Sequence, residues 1–184
     1  MSRQPQRVGS SGVSLDQAAF RACLGRFVSG VTIITFRGPD GPRGITVSAF
    51  TAVSLEPPLI LVCISRRARS HDLLLGQPFT VNVLKTEQEL LARRFAGADC
   101  AATVTWRDGG VGPRLEGVLA YLECEPWSAC DGGDHTLFLG KVVGLGYEEG
   151  DALGFFCSRF VPVARPIPTQ PALPYDPFEL PYDA

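Results

Sequence analysis

Gly44-Ile45-Thr46-Val47-Ser48-Ala49-Phe50-Thr51-Ala52-Val53-Ser54 is the stretch on which the fold turns. β-Branched and aromatic residues are interleaved with small and hydroxyl-bearing ones, as suits a strand whose two faces meet different surroundings. A matching apolar run precedes it at residues 31–36, and between the two stands Gly38-Pro39-Asp40-Gly41-Pro42, dense in residues that set turn geometry. The spacing predicts a hairpin with residues 44–54 as its second strand.

Upstream, Ser14-Leu15-Asp16-Gln17 has the form of a capping box. Phe20, Cys23, Leu24 and Phe27 then recur at helical spacing, and Gly30 is expected to end the helix. Downstream, Pro57-Pro58 predicts a bend before a buried strand at 59–64. Ser70 can cap a short helix at 71–75 closed by Gly76, and a strand is expected at 79–84. Thr86-x-x-Glu89 repeats the capping-box pattern and opens a helix reaching Phe95. Two further strands are expected at 118–127 and 136–145, the second with Gly140 and Gly144 permitting bends, and a last short one at 153–156. Six or so strands with a few short helices predict a mainly β, antiparallel barrel with its helices outside. Strand and helix do not alternate as in a doubly wound fold, and no G-x-G-x-x-G supports a Rossmann nucleotide site.

A length of 184 residues suits one domain, expected over 14–165, between an N-terminal arm at 1–13 and a tail at 166–184. In the tail, Pro166, Pro168, Pro171, Pro174, Pro177 and Pro181 space out Tyr175, Phe178 and Tyr182 in a polyproline-like pattern. A net charge of -2 without long basic runs argues against a nucleic-acid or membrane-surface partner. Residues 1–14 lack the apolar core of a signal peptide, and no apolar run reaches the length of a membrane span. The six cysteines form no C-x-x-C pair, so neither a redox motif nor a metal site is expected. Several sit in apolar stretches as small hydrophobes of a reducing compartment, so the cytoplasm is the expected location.

Three segments carry chemistry. Hydroxyls at Thr46, Ser48, Thr51 and Ser54 either offer a polar ring edge its partners or line the wet side of a barrel strand. Ser65-Arg66-Arg67-Ala68-Arg69-Ser70 gathers three guanidinium groups and two hydroxyls at a helix start, which suits a phosphate; it also suits an exposed basic loop. Asp131-Gly132-Gly133-Asp134-His135 delivers one histidine to the start of an apolar strand. His135 is either a switchable hydrogen-bond donor toward a ligand or a structural histidine tied to Asp134, and His71 poses the same choice.

These segments resemble the flavin reductase family, the reductase components of two-component flavin monooxygenases. The resemblance covers residues 20–160 and rests on Phe27-Val28-Ser29-Gly30-Val31-Thr32, Gly44-Ile45-Thr46-Val47-Ser48-Ala49-Phe50 with Glu56-Pro57-Pro58, Phe79-x-Val81-Asn82-Val83-Leu84, Arg94-Phe95-Ala96, and Gly133-Asp134-His135-Thr136-Leu137-Phe138-Leu139-Gly140. It implies an FMN-binding split barrel: six antiparallel strands of Greek-key type, a few flanking helices, and a homodimer with the flavin near the subunit interface. It implies FMN or FAD as cofactor, NADH or NADPH as cosubstrate, and a flavin-dependent monooxygenase as partner. Carried over by position, Thr46, Val47, Ser48 and Ala49 face the flavin ring or ribityl chain, and Cys63, Ile64 and Ser65 continue that wall. Ser70 and His71 lie at the phosphate, and Arg94, Phe95 and Ala96 on the distal part. His135, Arg159 and Phe160 lie by the nicotinamide, with His135 as the expected catalytic residue. Ser158-Arg159-Phe160 departs from the family's usual Gly, basic residue and Tyr. A flavoprotein holding its flavin tightly, or a non-catalytic flavin-binding or docking protein, are the competing readings.

Overall fold

The computed structural model describes residues 15–164. Helix α1 (Gln17–Leu24) leads to a two-residue strand β1 (Ser29–Gly30). Strands β2 (Thr32–Gly38) and β3 (Gly41–Val47) then form the expected hairpin, Thr32 opposite Val47 and Gly38 opposite Gly41. Next come β4 (Phe50–Leu55), β5 (Pro58–Ser65), α2 (His71–Leu74) and β6 (Phe79–Val83). A single 3-10 turn, Thr86–Gln88, runs into α3 (Glu89–Phe95), followed by the short strands β7 (Trp106–Asp108) and β8 (Pro113–Leu115). Long strands β9 (Ala120–Gly132) and β10 (His135–Tyr147) precede the final pair, β11 (Ala152–Phe156) and β12 (Arg159–Val163).

The predicted strand at 44–54 is divided. Residues up to Val47 pair with β2, Ser48 and Ala49 belong to neither ladder, and Phe50 onward pairs with β5. The large sheet runs β3-β2-β6-β9-β10-β5-β4, so one bent strand supplies both of its ends. Counting β3 and β4 as that one strand, the ring has six members, all paired antiparallel. A small barrel needs strongly tilted, coiled strands, and a strand passing from one neighbour to the other must break its ladder where it crosses. The Ala49 carbonyl accepts the Cys63 N–H at 3.0 Å and anchors the crossing to β5.

Both faces of β2 are buried, and period two sorts its side chains. Ile34 and Phe36 point into the barrel with Val62 of β5, Phe79 and Val81 of β6 and Phe138 of β10. Ile33 and the preceding Val31 belong to a second cluster outside it, with Leu84, Ala92 of α3, Leu115 of β8 and Leu153 of β11. Each such fully buried side chain contributes about 1.5–3 kcal/mol. A small sheet of order β1-β11-β12 covers this outer core. Gly44 lets α3 lie close: a Cβ there would come within 2.7 Å of the Phe95 ring.

Several local expectations are corrected. Asp16 caps α1, accepting from the Ala18 and Ala19 amides, while Ser14 lies outside the described residues. The helix stops at Leu24, with Gly25 as its cap, and Gly30 is in a strand paired with Gly154. Ser70 precedes α2 without a side-chain capping bond. At the 3-10 turn leading into α3, the Gln88 side chain accepts from the Lys85 amide at 3.0 Å, while the Thr86 hydroxyl donates to the Ala152 carbonyl, so the capping bond comes one residue earlier than predicted and from a lysine backbone. Strand β9 continues through Pro126, which stands opposite Gly140 beside a register shift between Leu139 and Gly140, a bulge position where proline is tolerated. Strands β7 and β8, three residues each, are too short for periodicity to reveal, and β12 carries Pro162 on an edge where proline is tolerated. The expected arm at 1–13 and tail at 166–184 lie outside the described residues.

Asn82, fully buried, joins the two cores. Its amide donates to the Ile33 carbonyl and to the Thr35 hydroxyl at 2.9 Å each, and its oxygen accepts the Leu115 N–H at 2.9 Å. The Thr35 hydroxyl in turn donates to the Pro113 carbonyl at 2.6 Å, so β8 is held to the barrel by polar groups. Asn82→Ala strands a buried carbonyl and a buried N–H, a loss of about 2–4 kcal/mol. Thermal denaturation is expected to show a midpoint lowered by about 4–16 °C; a midpoint within a degree of wild type would remove the network from the account of stability.

Candidate active site

The break at Ser48 and Ala49 opens onto an open cleft of about 780 Å³, within the range of about 300–1,000 Å³ usual for small-molecule sites. Phe27 and Val28, from the segment after α1, and Phe50 of β4 line it together with Phe155 of β11. Ser29, Ser48, Thr51 and Ser158 place hydroxyls in its wall, and Arg21 is its charged side chain. A recess of about 210 Å³ shares Ser48, Ala49 and Cys63 with this cleft and adds Thr46, Val47, Ile64, Ser65 and His135. A third hollow of about 150 Å³ is bounded by Thr46, Ser48, Ala96, Phe155 and Phe160. Ser48 borders all three, so the hollows adjoin one another around the strand crossing.

Of the residues singled out in the sequence, eight surround the recess: Thr46, Val47, Ser48, Ala49, Cys63, Ile64, Ser65 and His135. They converge because β10 pairs with β5 in a register that sets His135 opposite Ser65 and Leu137 opposite Cys63. Burial pushes the Cys63 thiol up from its usual range, which keeps it protonated and weakly reactive. The Thr46 hydroxyl donates to the Ala92 carbonyl of α3 at 2.7 Å, so Thr46 contributes to the wall while its hydroxyl holds the helix. His135 Nδ1 lies 2.7 Å from the Asp134 carboxylate. A carboxylate accepts, so Nδ1 carries the hydrogen and Nε2 remains for a ligand in the recess. The same hydrogen bond and the imidazole's charge hold Asp134 below the usual carboxylate range.

Other expected site residues are placed differently. His71 is buried, with Nδ1 at 2.7 Å from Asp72 and Nε2 at 2.8 Å from the Thr136 hydroxyl, so both ring nitrogens are engaged in joining α2 to β10. Arg94 donates to the Ala102 carbonyl at 2.5 Å, and the Phe95 ring packs edge-on against Trp106 with centroids 5.9 Å apart. Ala96 and Phe160 border the third hollow, where Arg93 stacks over the Phe160 ring at 5.2 Å. Arg159 is exposed, opposite Phe156 across the last hairpin. In the basic loop, Arg66 pairs with Asp131 at 2.7 Å and its amide donates to the Asp134 carbonyl. Ser65 Oγ accepts the Arg67 amide at 3.3 Å, which leaves the Arg67 and Arg69 side chains as the loop's available charge toward a phosphate. Arg21, Phe27, Phe50 and Cys157 line the cleft without having been singled out. They are helix-stripe, strand or turn residues by pattern, and only the tertiary approach of α1 and the last hairpin to the strand crossing reveals them.

The flavin reductase like domain model matches residues 24–164. The chain belongs to that family. It is 42% identical over 138 residues to an NADH-dependent FAD reductase of Streptomyces globisporus, covering 70% of this chain and 75% of the relative. It is 39% identical over 149 residues to the reductase component of 4-nitrophenol 4-monooxygenase/4-nitrocatechol 2-monooxygenase of Rhodococcus opacus, covering 79% and 80%. Its fold matches the solved structure of the Streptomyces globisporus C-1027 NADH:FAD oxidoreductase in complex with NAD and FAD fragments, with a TM-score of 0.75 and 38% identity over 84% of this chain and 94% of that one. The family membership accounts for the mainly β barrel.

Asp131 sets the shape of the turn before His135. Its carboxylate accepts the Gly133 N–H at 2.8 Å and pairs with Arg66, and in that order these hold it below its ordinary value of 3.8. Such contacts are complete above the ordinary carboxylate value and are lost as pH falls through the lowered one. Arg66→Ala is expected to raise the Asp131 titration midpoint part of the way back toward 3.8, read from the carboxyl carbon shift by NMR. An unmoved midpoint would mean that Arg66 does not contribute to the turn.

Proposed function

We propose that this chain is the reductase half of a two-component system, using NADH or NADPH to reduce FMN or FAD and releasing the reduced flavin to a flavin-dependent monooxygenase. The observation that carries the reading is the group of adjoining hollows around Ser48. It joins an apolar cleft, a polar recess with a histidine at its rim, and hydroxyls on the strand crossing. A flavin ring has an apolar benzenoid body and a polar pyrimidine edge, and this lining meets both demands. When bound, the flavin supplies the two-electron acceptor and the pyridine nucleotide the donor.

The residues then have positional work. Val47, Ser48, Ala49, Cys63 and Ile64 form a wall against the ring, with the Ser48 and Ala49 amides outside either ladder and able to donate to its polar edge. Ser65, Arg67 and Ser70 stand toward the phosphate at the end of β5, and His71 acts indirectly by fixing α2. Arg94 and Phe95 hold the turn that brings Ala96 to the hollow beside Phe160. His135, tautomer set by Asp134, presents Nε2 to the nicotinamide; Arg159 stands on a different hairpin, at the start of β12. An open cleft suits a product that must leave for another enzyme.

A second copy of the chain is the partner we place against α1, on which no side chain is buried. Phe20, Leu24 and Phe27 are exposed there, Phe27 at 79%. Apolar surface of that kind beside a ligand cleft is characteristic of an interface. The free cysteines suit a reducing cytoplasm, and among the described residues no helix is long and apolar enough to cross a membrane.

NADH and NADPH oxidation measured with and without added FMN or FAD tests the reading. Turnover that depends on free flavin supports it, whereas a tightly retained flavin with slow turnover, or flavin binding without oxidation, would favour the two competing readings. His135→Ala is expected to raise KM for the nicotinamide donor about three- to tenfold, the loss of one hydrogen bond. Unchanged steady-state kinetics would take His135 out of the site. Phe27→Glu is expected to shift the protein toward monomer in light scattering; an unaltered mass would place the dimer contact elsewhere.

A further inference from the structure

The basic loop 66–70 runs from the end of β5 to α2, a helix of four residues. So short a helix has no stability of its own, and its position comes from tertiary contacts. Within the loop, the Ala68 N–H donates to the Ser65 carbonyl at 2.9 Å and the His71 N–H to the Ala68 carbonyl at 3.0 Å. Both ends are then tied to the β9-β10 hairpin. The Arg66 N–H donates to the Asp134 carbonyl at 3.0 Å, and His71 Nε2 lies 2.8 Å from the Thr136 hydroxyl. The two ties fall on the residues either side of His135.

Thr136 and His135 face opposite ways, as neighbours in a strand do. His135 lines the recess, whereas Thr136 is buried, stands opposite Ile64 of β5, and shares the side of β10 that carries the core residue Phe138. His71 packs on that side, its ring edge-on to Phe138 with centroids 5.7 Å apart. Its Nδ1 donates to the Asp72 carboxylate at 2.7 Å, so on the neutral ring Nε2 accepts the Thr136 O–H. Between the two ties stand Arg67 and Arg69, both exposed. Guanidinium groups on an untied loop lose freedom when they meet an anion; on a loop tied at both ends much of that loss is already incurred in folding.

We propose that Thr136 is a positioning residue for the flavin's phosphate: acting through His71, its hydroxyl fixes the loop that carries Arg67 and Arg69 beside the His135 turn. The proposal rests on the reading that this loop takes the phosphate. Thr136 is not among the residues that line the recess, so its effect passes through His71 and α2. Loss of the hydroxyl leaves a buried imidazole nitrogen without its donor. The far end of the loop is then released while the Arg66 end stays tied. The wall at Val47, Ser48 and Ala49 belongs to the strand crossing, whose ladders do not involve this hydroxyl, so the loss falls on the phosphate and not on the flavin ring.

Equilibrium binding to the full chain of oxidised FMN, and of riboflavin, which lacks the phosphate, tests this. Thr136→Val keeps the shape and removes the hydroxyl; Kd for FMN is expected to rise about three- to tenfold, with that for riboflavin changed less than about twofold. Thr136→Ser keeps the hydroxyl and is expected to hold FMN within about twofold of wild type. Should the valine variant fail to fold, Thr136→Cys, a weak donor of similar size, takes its place with the same expectation. An equal rise for both flavins marks a merely structural role and overturns the proposal, as does an unchanged Kd for FMN or a serine variant as weak as the valine one. Wild-type protein that binds FMN no more tightly than riboflavin would instead remove the phosphate reading, and this inference with it.

Discussion

The six-stranded ring of this chain closes under one condition: one strand leaves one neighbour and joins another without a gap in the ring. Here that strand is the pair β3 and β4, and the condition is met by two residues, Ser48 and Ala49, that belong to neither ladder. Their carbonyls are taken, that of Ser48 by the Phe50 N–H at 3.1 Å and that of Ala49 by Cys63 at 3.0 Å. Regular pairing occupies both hydrogen-bonding edges of a strand, so the crossing is where the barrel wall can offer main-chain donors to something other than another strand. The ligand space follows from closure.

The outer layer depends on the same strand. Thr46 donates to the Ala92 carbonyl and Gly44 admits the Phe95 ring, so α3 is seated on the half of the bent strand that precedes the crossing. Asn82 and Thr35 then tie the β7-β8 hairpin to the neighbouring strands β2 and β6. Such buried polar groups add little net stability when satisfied, but leaving one unpaired is costly, so they select a single arrangement of the layers. In this way, the position of α3, and with it Ala96 at the edge of the ligand space, is coupled to the register of the barrel.

Legibility in the sequence followed the physics of each signal. The barrel class was readable because burial of β2 on both faces, and of most of β5, leaves β-branched apolar runs that include Ile33, Ile34, Val62 and Ile64. The crossing was not, since a strand that changes partners has the same composition on both sides of the change, and residues 44–54 read as one element. The recess was legible in its parts, as hydroxyls on one strand and a histidine on another, but their meeting depends on the register of His135 against Ser65. His71 illustrates the opposite failure. A histidine beside a basic loop suggests a phosphate ligand, yet one of its nitrogens is engaged by the adjacent Asp72 and the other by Thr136, 65 positions away. Phe27 and Cys157 carry no local signal because a helix stripe and a turn look alike whether or not a cleft forms beside them.

Three irregularities border one ligand space: the crossing at Ser48 and Ala49, the left-handed turn at Cys157 and Ser158, and the Gly133 turn, φ 76°, that delivers His135. Regular ladders fix the direction of a side chain by the pleat and leave little choice of height or angle. A turn or a crossing can set both, provided that surrounding contacts determine its conformation. Each of these is so determined, by Cys63 at the crossing, by Gly25 at the last hairpin, and by Asp131 with Arg66 at the Gly133 turn. The rigid ladders therefore supply the frame, and the chemistry is carried at the places where the ladder is interrupted and then pinned.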